Sequence, residues 1–217
     1  LKNQENKRQQ IQVINHLNGQ KSKLTSQEVF EFCLNMAKKG DAKFQCRVGN
    51  CYEFAIGTKK NLKLSMKSYR ISAKNGDAVA QYNLAFTLNE GKLLKRNYKK
   101  AFQLMKASAD QGYPDALSDL GYMYMQGHGV KADFEKASYY YKRAAKKGIA
   151  RAYYNLGLMA RTGEGLRLSE KLSVEYHMKA FVMGFKKSAI ELAELFLDKS
   201  SSLYDSSRGR YFKRKAS

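Results

Sequence analysis

Glycine recurs at positions 40, 76, 112, 148 and 184, a constant step of 36 residues. A chain that repeats itself at such a period builds one supersecondary unit many times over, and each unit buries its apolar face against the next. Other positions keep the same frame without insertion. Four residues after each glycine come Phe44, Ala80, Ala116, Ala152 and Ser188. Eight residues after it come Val48, Leu84, Leu120, Leu156 and Leu192, followed at once by Gly49, Ala85, Gly121, Gly157 and Ala193. Ala73, Ala109 and Ala145 close three of the units.

Each unit reads as a pair of helices. In the third, Ala116, Leu117, Leu120, Gly121 and Tyr124 fall at steps of three and four, the spacing of one helix face. Gly127-His128-Gly129 ends that helix, because glycine enters the left-handed region without a Cβ penalty. Asp133 is placed to cap a second helix through Phe134, Ala137, Tyr140, Tyr141, Ala144 and Ala145. Lys146-Lys147 suit the negative end of its dipole, and Gly148 stops it. The small residues let the two helices approach closely, and the Leu and Tyr side chains fill the space between them.

The string Gly112, Ala116, Leu120-Gly121, Tyr124, Gly127, Gly129-Val130, Asp133, Lys136-Ala137, Ala144-Ala145, Gly148 resembles the Sel1-like repeat, a relative of the tetratricopeptide repeat. The fourth unit matches through Ala152, Leu156, Gly157, Gly163, Gly165, Leu166, Tyr176 and Ala180, but has Ser169 and Leu172 where the pattern expects Asp and Lys. The second keeps Ala80, Leu84, Gly91, Lys100, Ala101 and Ala109, with Leu93 in place of the second loop glycine. The first is weakest, with Phe44, Val48, Gly49, Tyr52, Gly57 and Ala73.

The resemblance implies an all-α, right-handed α-solenoid of 36-residue helix-turn-helix repeats in one domain over residues 1–217. The expected parts are N-terminal helices or a partial repeat over 1–39, repeats over 40–75, 76–111, 112–147 and 148–183, a capping helix over 184–199 and a basic tail over 200–217. Thr25/Ser26 opens a helix through Val29, Phe32, Met36 and Ala37, and Ile11, Ile14 and Leu17 mark the helix before it.

Composition narrows the function classes. Apolar residues make up 43% of the chain, too many for a disordered one. No run approaches the ~18 apolar residues of a membrane span. One Pro and 16 Gly exclude a collagen-like chain and disfavour a loop-rich one. The sequence begins at Leu1 rather than Met, which leaves room for a removed presequence or lipoprotein signal. Bacterial periplasm and cytoplasm both stay open. Cys33, Cys46 and Cys51 make no disulfide framework or metal spacing. A Cys33–Cys46 bridge and three buried thiols are both compatible with the sequence.

The chemistry of catalysis is missing from the pattern. His16, His128 and His177 occupy unrelated repeat positions, and no carboxylate pair recurs in the frame. No HExxH, P-loop, GxSxG or GxGxxG occurs. His128, between two loop glycines, reads as a turn residue, and His177 as a solvated or core-edge residue. The expectation is a non-enzyme with no catalytic residue, metal or cofactor.

By the tetratricopeptide analogy, the concave surface is built from residues three, six, ten and thirteen after each repeat glycine. In the first unit these are Lys43, Cys46, Asn50 and Glu53. In the third, Asp115 and Ser118 precede Tyr122 and Met125. With Tyr82 and Phe86 in the second unit, and Arg151, Tyr154, Leu158 and Arg161 in the fourth, the apolar members form a stripe suited to an interface core. Several of them would equally serve by packing on neighbouring second helices. Charge adds a second consideration, because 40 Lys+Arg against 19 Asp+Glu leave a net +21. Cations at helix C-termini absorb part of this, and the remainder favours an acidic partner.

The resemblance therefore implies a protein-protein interaction module of adaptor or scaffold type, and the charge implies that its partner is an acidic protein. Similar bacterial proteins act as immunity proteins that neutralise a co-encoded secreted toxin, such as a lipase-type effector, often in the periplasm. A basic surface for nucleic acid or anionic membrane is the remaining class. The absence of a recognition-helix motif disfavours sequence-specific nucleic-acid reading.

Overall fold

The computed structural model describes the backbone of residues 2–216 and the side chains of residues 8–216. Among the described residues the regular structure is entirely α-helical. The helices are α1 (Lys2–Leu17), α2 (Ser26–Lys38), α3 (Ala42–Phe54), α4 (Leu62–Lys74), α5 (Ala78–Glu90) and α6 (Tyr98–Asp110). They continue with α7 (Pro114–Gln126), α8 (Phe134–Lys146), α9 (Ala150–Thr162), α10 (Glu170–Val182), α11 (Lys187–Leu197) and α12 (Ser206–Ala216). The chain divides into two compact units, one ending at Phe86 and one beginning at Thr87.

The frame of 36 residues is clearest at the start of the second helix of each pair. Thr25, Asn61, Asn97, Asp133, Ser169 and Asp205 stand exactly in register. Each accepts, through its side-chain oxygen, the backbone N–H three residues on: Glu28, Leu64, Lys100, Lys136, Leu172 and Arg208. Such a cap satisfies one of the orphan donors of the first turn and is worth about 1 kcal/mol. At Thr25 the Glu28 carboxylate also accepts the cap's own N–H, at 2.7 Å, completing a capping box. Ser169 breaks the family pattern in identity but not in physics, since any short side-chain acceptor does this work.

Pairing of the two helices rests on a large residue set over a small one. A Cβ at Gly49 would lie 2.6 Å from the ring of Tyr69, and one at Gly121 would lie 2.9 Å from that of Tyr141. Both rings are essentially inaccessible to solvent. Successive pairs are joined by the loop after the first helix. Gly129 has φ +76°, and a methyl there would overlap the Tyr98 carbonyl at the start of α6. Gly165 meets the Phe134 carbonyl of α8 in the same way. Ser201 holds the equivalent place one turn later and is buried. Its hydroxyl donates to the Glu170 carboxylate at 2.7 Å, so a polar bond replaces the close approach.

The first unit centres on Val13, Val29, Cys33, Phe44 and Val48. Of the apolar residues expected to seat α1, Ile11 is exposed, and the buried residue is Val13, one turn before the packed Leu17. All three cysteines are buried free thiols. Cys33 on α2 interacts with Cys51 on α3, and both remain free thiols. The Cys51 thiol, and then burial, raise the Cys33 pKa well above the ordinary thiol range. Burial likewise raises Cys46, with the nearby Asp77 carboxylate adding to it.

The second unit ends differently from the sequence-based expectation. Residues 206–216, expected to be a basic tail, form α12 and pack on α11. Phe212 enters a cluster with Ala189, Leu192, Ala193 and Phe196. Its ring stacks on Phe196 at 5.9 Å and meets Phe181 edge-on at 5.4 Å. Gly209, three residues earlier, lies so close to Leu197 that a Cβ would sit 2.5 Å from its Cγ. The run of Arg and Lys obscured these two inward positions. The Arg208 guanidinium, one of those charges, lies 4.8 Å over the Phe196 ring.

Two substitutions test this account of the turns. Gly129→Ala adds both a strained φ and an overlap with backbone, and is expected to cost about 3 kcal/mol in urea unfolding. Ala55 is the one described non-glycine residue with positive φ, at 58°, and stands in register with Gly91, Gly127 and Gly163. Ala55→Gly is therefore expected to stabilise the protein by about 0.5–1 kcal/mol in the same assay.

Candidate functional site

In the second unit the first helices of successive pairs, α7, α9 and α11, are joined by polar side chains. Arg151 on α9 forms an ion pair with Asp119 on α7. The Tyr154 hydroxyl of α9 donates to Glu191 of α11 at 3.2 Å. Arg161 reaches Glu191 at 3.0 Å and Glu194 at 3.1 Å. These contacts hold the face in place, and they also change its electrostatics. Arg151 and Arg161, expected to face an acidic partner, are already paired with carboxylates of their own chain. Asp119 and Glu191 lie seven residues after a repeat glycine, a position outside the set used to predict the face.

The apolar members separate into exposed and packed. Tyr122 is 42% exposed and meets His128 edge-on at 5.8 Å. His128 in turn stacks on Tyr98 at 4.3 Å, so the turn residue also supports the Tyr122 ring. Met125 and Leu158 are half-buried. Tyr154 is half-buried as well, its ring 5.4 Å from His177 and 5.1 Å from Phe185. Burial, and then the Glu191 carboxylate, push its phenol pKa up. In the first unit, Phe86 is exposed, and its ring lies 6.3 Å from that of half-buried Tyr82.

The sixth position after the glycine is thus not a surface position. Cys46 and Ser118 are buried there, while Tyr82 and Tyr154 are half-buried. In α9 this follows from a second-helix residue, His177, against which Tyr154 packs. The tenth position is open in the second and third repeats, at Phe86 and Tyr122, and half-buried at Asn50 and Leu158. Among the described residues, no group of three or more His, Cys, Asp or Glu could hold a metal ion, and no helix is long and apolar enough to cross a membrane.

The Sel1 repeat profile matches residues 42–77, 78–113, 114–149 and 150–181. The chain belongs to the Sel1 repeat family. Among solved structures it is similar to a Sel1 repeat protein from Oxalobacter formigenes, at 25% identity and TM-score 0.82, over 88% of this chain and 76% of that one. It is also similar to c5321, a protective antigen of uropathogenic Escherichia coli, at 22% identity and TM-score 0.80, over 95% of this chain but only 44% of that protein. Immunity protein PA5088 from Pseudomonas aeruginosa shares the fold at 17% identity and TM-score 0.53, over 87% of this chain and 72% of the other. No curated protein sequence matches. Sel1 repeats suggest a protein-protein interaction module, and the family is generally non-catalytic.

One Sel1 position in this array carries unusual chemistry. Tyr69, Met105, Tyr141 and His177 stand in register, and all four are buried. The frame alone identifies His177 as core, which the local reading as a solvated or edge residue overlooked. Its ring occupies the space over Gly157, where a Cβ would come within 2.6 Å. Tyr69 meets its polar requirement by donating to Asn50 at 2.6 Å or Glu53 at 2.7 Å. Neither ring nitrogen of His177 has a hydrogen-bond partner among the described residues. Burial, reinforced by the Arg161 cation, lowers its pKa to about 4.

A buried neutral histidine makes stability depend on pH. Above about pH 6.5 the ring is neutral in both states and the effect is absent. As pH falls from there toward 4, the unfolded chain takes up a proton that the folded chain refuses. Stability is then lost, by about 3 kcal/mol at the lower end. Met fills this position as Met105, so His177→Met is expected to fold and to flatten the loss between pH 7.5 and pH 4.5. Urea unfolding of the two proteins at both pH values measures the difference.

Proposed function

We propose that this protein is a non-catalytic binding module that engages a partner protein through its first-helix face. The observation that carries this reading is the exposure of Tyr122, held upright by the His128 ring on a face fixed by the Arg151–Asp119 and Arg161–Glu191–Glu194 ion pairs. A rigid aromatic with a polar tip contributes a large contact at low entropic cost, which suits an interface anchor. Met125 and Leu158 extend the apolar area, Tyr154 supplies support beneath it, and Tyr82 with Phe86 offers a similar aromatic pair in the first unit. The charge of +21 favours an acidic partner and fast, salt-sensitive encounter. With Arg151 and Arg161 already paired, this attraction comes from the wider surface rather than from those two residues.

Within the binding class, an adaptor or scaffold is the first reading and an immunity protein against a co-encoded toxin the second. The second is favoured by the fold shared with Pseudomonas aeruginosa immunity proteins Pa5087 and PA5088. An immunity protein holds one partner stoichiometrically, whereas an adaptor holds several more weakly. Nucleic acid or anionic membrane as the target of the basic surface ranks third.

The test uses a tagged protein on nuclease-treated lysate of its source, washed at about 0.15 M and then about 0.5 M salt, a range over which screening becomes strong. One stoichiometric protein is expected to survive the second wash. Tyr122→Ala is expected to weaken that complex by about tenfold or more while leaving the unfolding curve unchanged. Tyr154→Phe removes the bond to Glu191 but keeps the ring contacts, and is expected to have a smaller effect. A complex with unchanged affinity for Tyr122→Ala would place the interface elsewhere.

A further inference from the structure

The second helices α4, α6 and α8 present the same three positions to solvent near their C-terminal ends, and α2 presents the last two as Lys38 and Lys39. In α4 the three are Arg70, Lys74 and Asn75, in α6 Lys106, Asp110 and Gln111, and in α8 Lys142, Lys146 and Lys147, all exposed. In α10 the same positions are Met178, Val182 and Met183. Across α4, α6, α8 and α10, the three hydrophilic positions have become apolar in α10 alone. Packing accounts for part of the change, because Met178 is half-buried against the cluster that seats α12. It does not account for Val182, 78% exposed, or Met183, 43% exposed.

These residues do not merely protrude. With Tyr153 of α9 and Lys179 they line an open groove of about 430 Å³, large enough for an apolar side chain. Its floor is aromatic and aliphatic, and its one charged lining residue is a cation. The Lys179 ammonium lies 5.8 Å over the Tyr153 ring and 5.9 Å over that of Tyr176, and no carboxylate among the described residues pairs with it. Glu175 is the acidic group near Tyr176. Exposed apolar surface of this kind, open, grooved and bordered by a cation, marks an interaction site.

We propose that this groove receives an apolar side chain carried on an acidic segment of a partner protein. The charge decides the occupant. A second copy of this chain would bring +21 toward +21, whereas carboxylates flanking an apolar anchor would meet the Lys179 cation and the net positive charge of the chain. The concave shape fits an inserted side chain better than insertion of the groove itself into a bilayer. This surface is separate from the Tyr122 face, and each can fail without the other.

The test exchanges the anomalous residues for those of the preceding repeat. Val182→Lys with Met183→Lys restores the residues of α8, where Lys146 and Lys147 are accommodated at the same positions. Phage-displayed random dodecapeptides are selected on the native protein, and the labelled winners are titrated by fluorescence anisotropy at about 0.15 M salt. The selected peptides are expected to combine several carboxylates with one large apolar residue, and to lose about tenfold or more in affinity for the double variant. The sign of the change is diagnostic. Two added lysines strengthen any purely electrostatic attraction to an acidic peptide, so unchanged or tighter binding would overturn the groove. Val182→Lys alone, at a largely exposed site, repeats the measurement with the smallest risk to folding. Four other results would also overturn the proposal: no selected peptide binding the native protein, loss of binding with Tyr122→Ala but not with the lysine variants, a native dimer in sedimentation that the variants abolish, and vesicles of anionic phosphatidylglycerol bound by the native protein and released by the variants.

Discussion

The close approach of the interhelical loop to the start of the preceding second helix, made at Gly129, Gly165 and Ser201, is the contact on which stacking in the second unit depends. It fixes where one helix pair sits on the last, and so leaves little room to vary the length of a unit. At Gly129 and Gly165 the backbone passes so near a carbonyl that no side chain fits. At Ser201 the same junction is made by a hydroxyl donating to Glu170. The two solutions differ in chemistry but answer one requirement: the loop must end against the first turn of a helix that is itself capped. The caps at Asn97, Asp133 and Ser169 therefore do more than stabilise single helices. They hold the surface against which the next loop closes.

A second constraint acts inside each pair. A large side chain from the second helix is set over glycine in the first, at Tyr69 on Gly49, Tyr141 on Gly121 and His177 on Gly157. The space is defined by shape, and shape tolerates more than one chemistry. Tyr69 carries its hydroxyl to Asn50 and Glu53, while the Tyr141 hydroxyl and both His177 nitrogens lack partners among the described residues. Burial without a partner keeps these groups uncharged and pushes the pKa of Tyr141 up and that of His177 down. Packing thus sets the titration of His177, and the positive charge of Arg161 adds to the same effect.

Much of this was legible in the sequence because repetition allows each position to be compared with itself. The helix pairs, their loops and the four repeats follow from the glycine frame and from the small residues beside Leu84, Leu120 and Leu156. What escaped was whatever local composition disguised. Asp205 stands in register with Asp133 and caps α12, yet the lysines and arginines after it suggested an unstructured tail. His177 is polar in type, yet its register partners are buried. The face was harder still. The positions borrowed from a related repeat placed Cys46 and Ser118 at the surface, where the Sel1 geometry buries them. They also omitted Asp119 and Glu191, which neutralise the arginines expected to attract a partner. Asp119 and Glu191 share the seventh position, but Arg47, Asn83 and Asn155 hold it in the other units, so spacing alone does not reveal the pairing.

The same logic separates scaffold from function in a repeat array. A feature that recurs in every unit answers to the demands of stacking, which every unit shares. A departure confined to one unit either terminates the stack or serves something outside it. Ser201 and Phe212 change the residue type but keep contacts that the frame shares, the loop junction and the packing of a second helix on its first. Tyr122 is not a departure in exposure, because Phe86 is open at the same register, so its case rests on its fixed geometry. Val182 and Met183 do depart: they follow three units of hydrophilic residues and remain open after α12 has docked. Stacking does not require them, and apolar surface left in water carries a free-energy cost that a partner's side chain would remove.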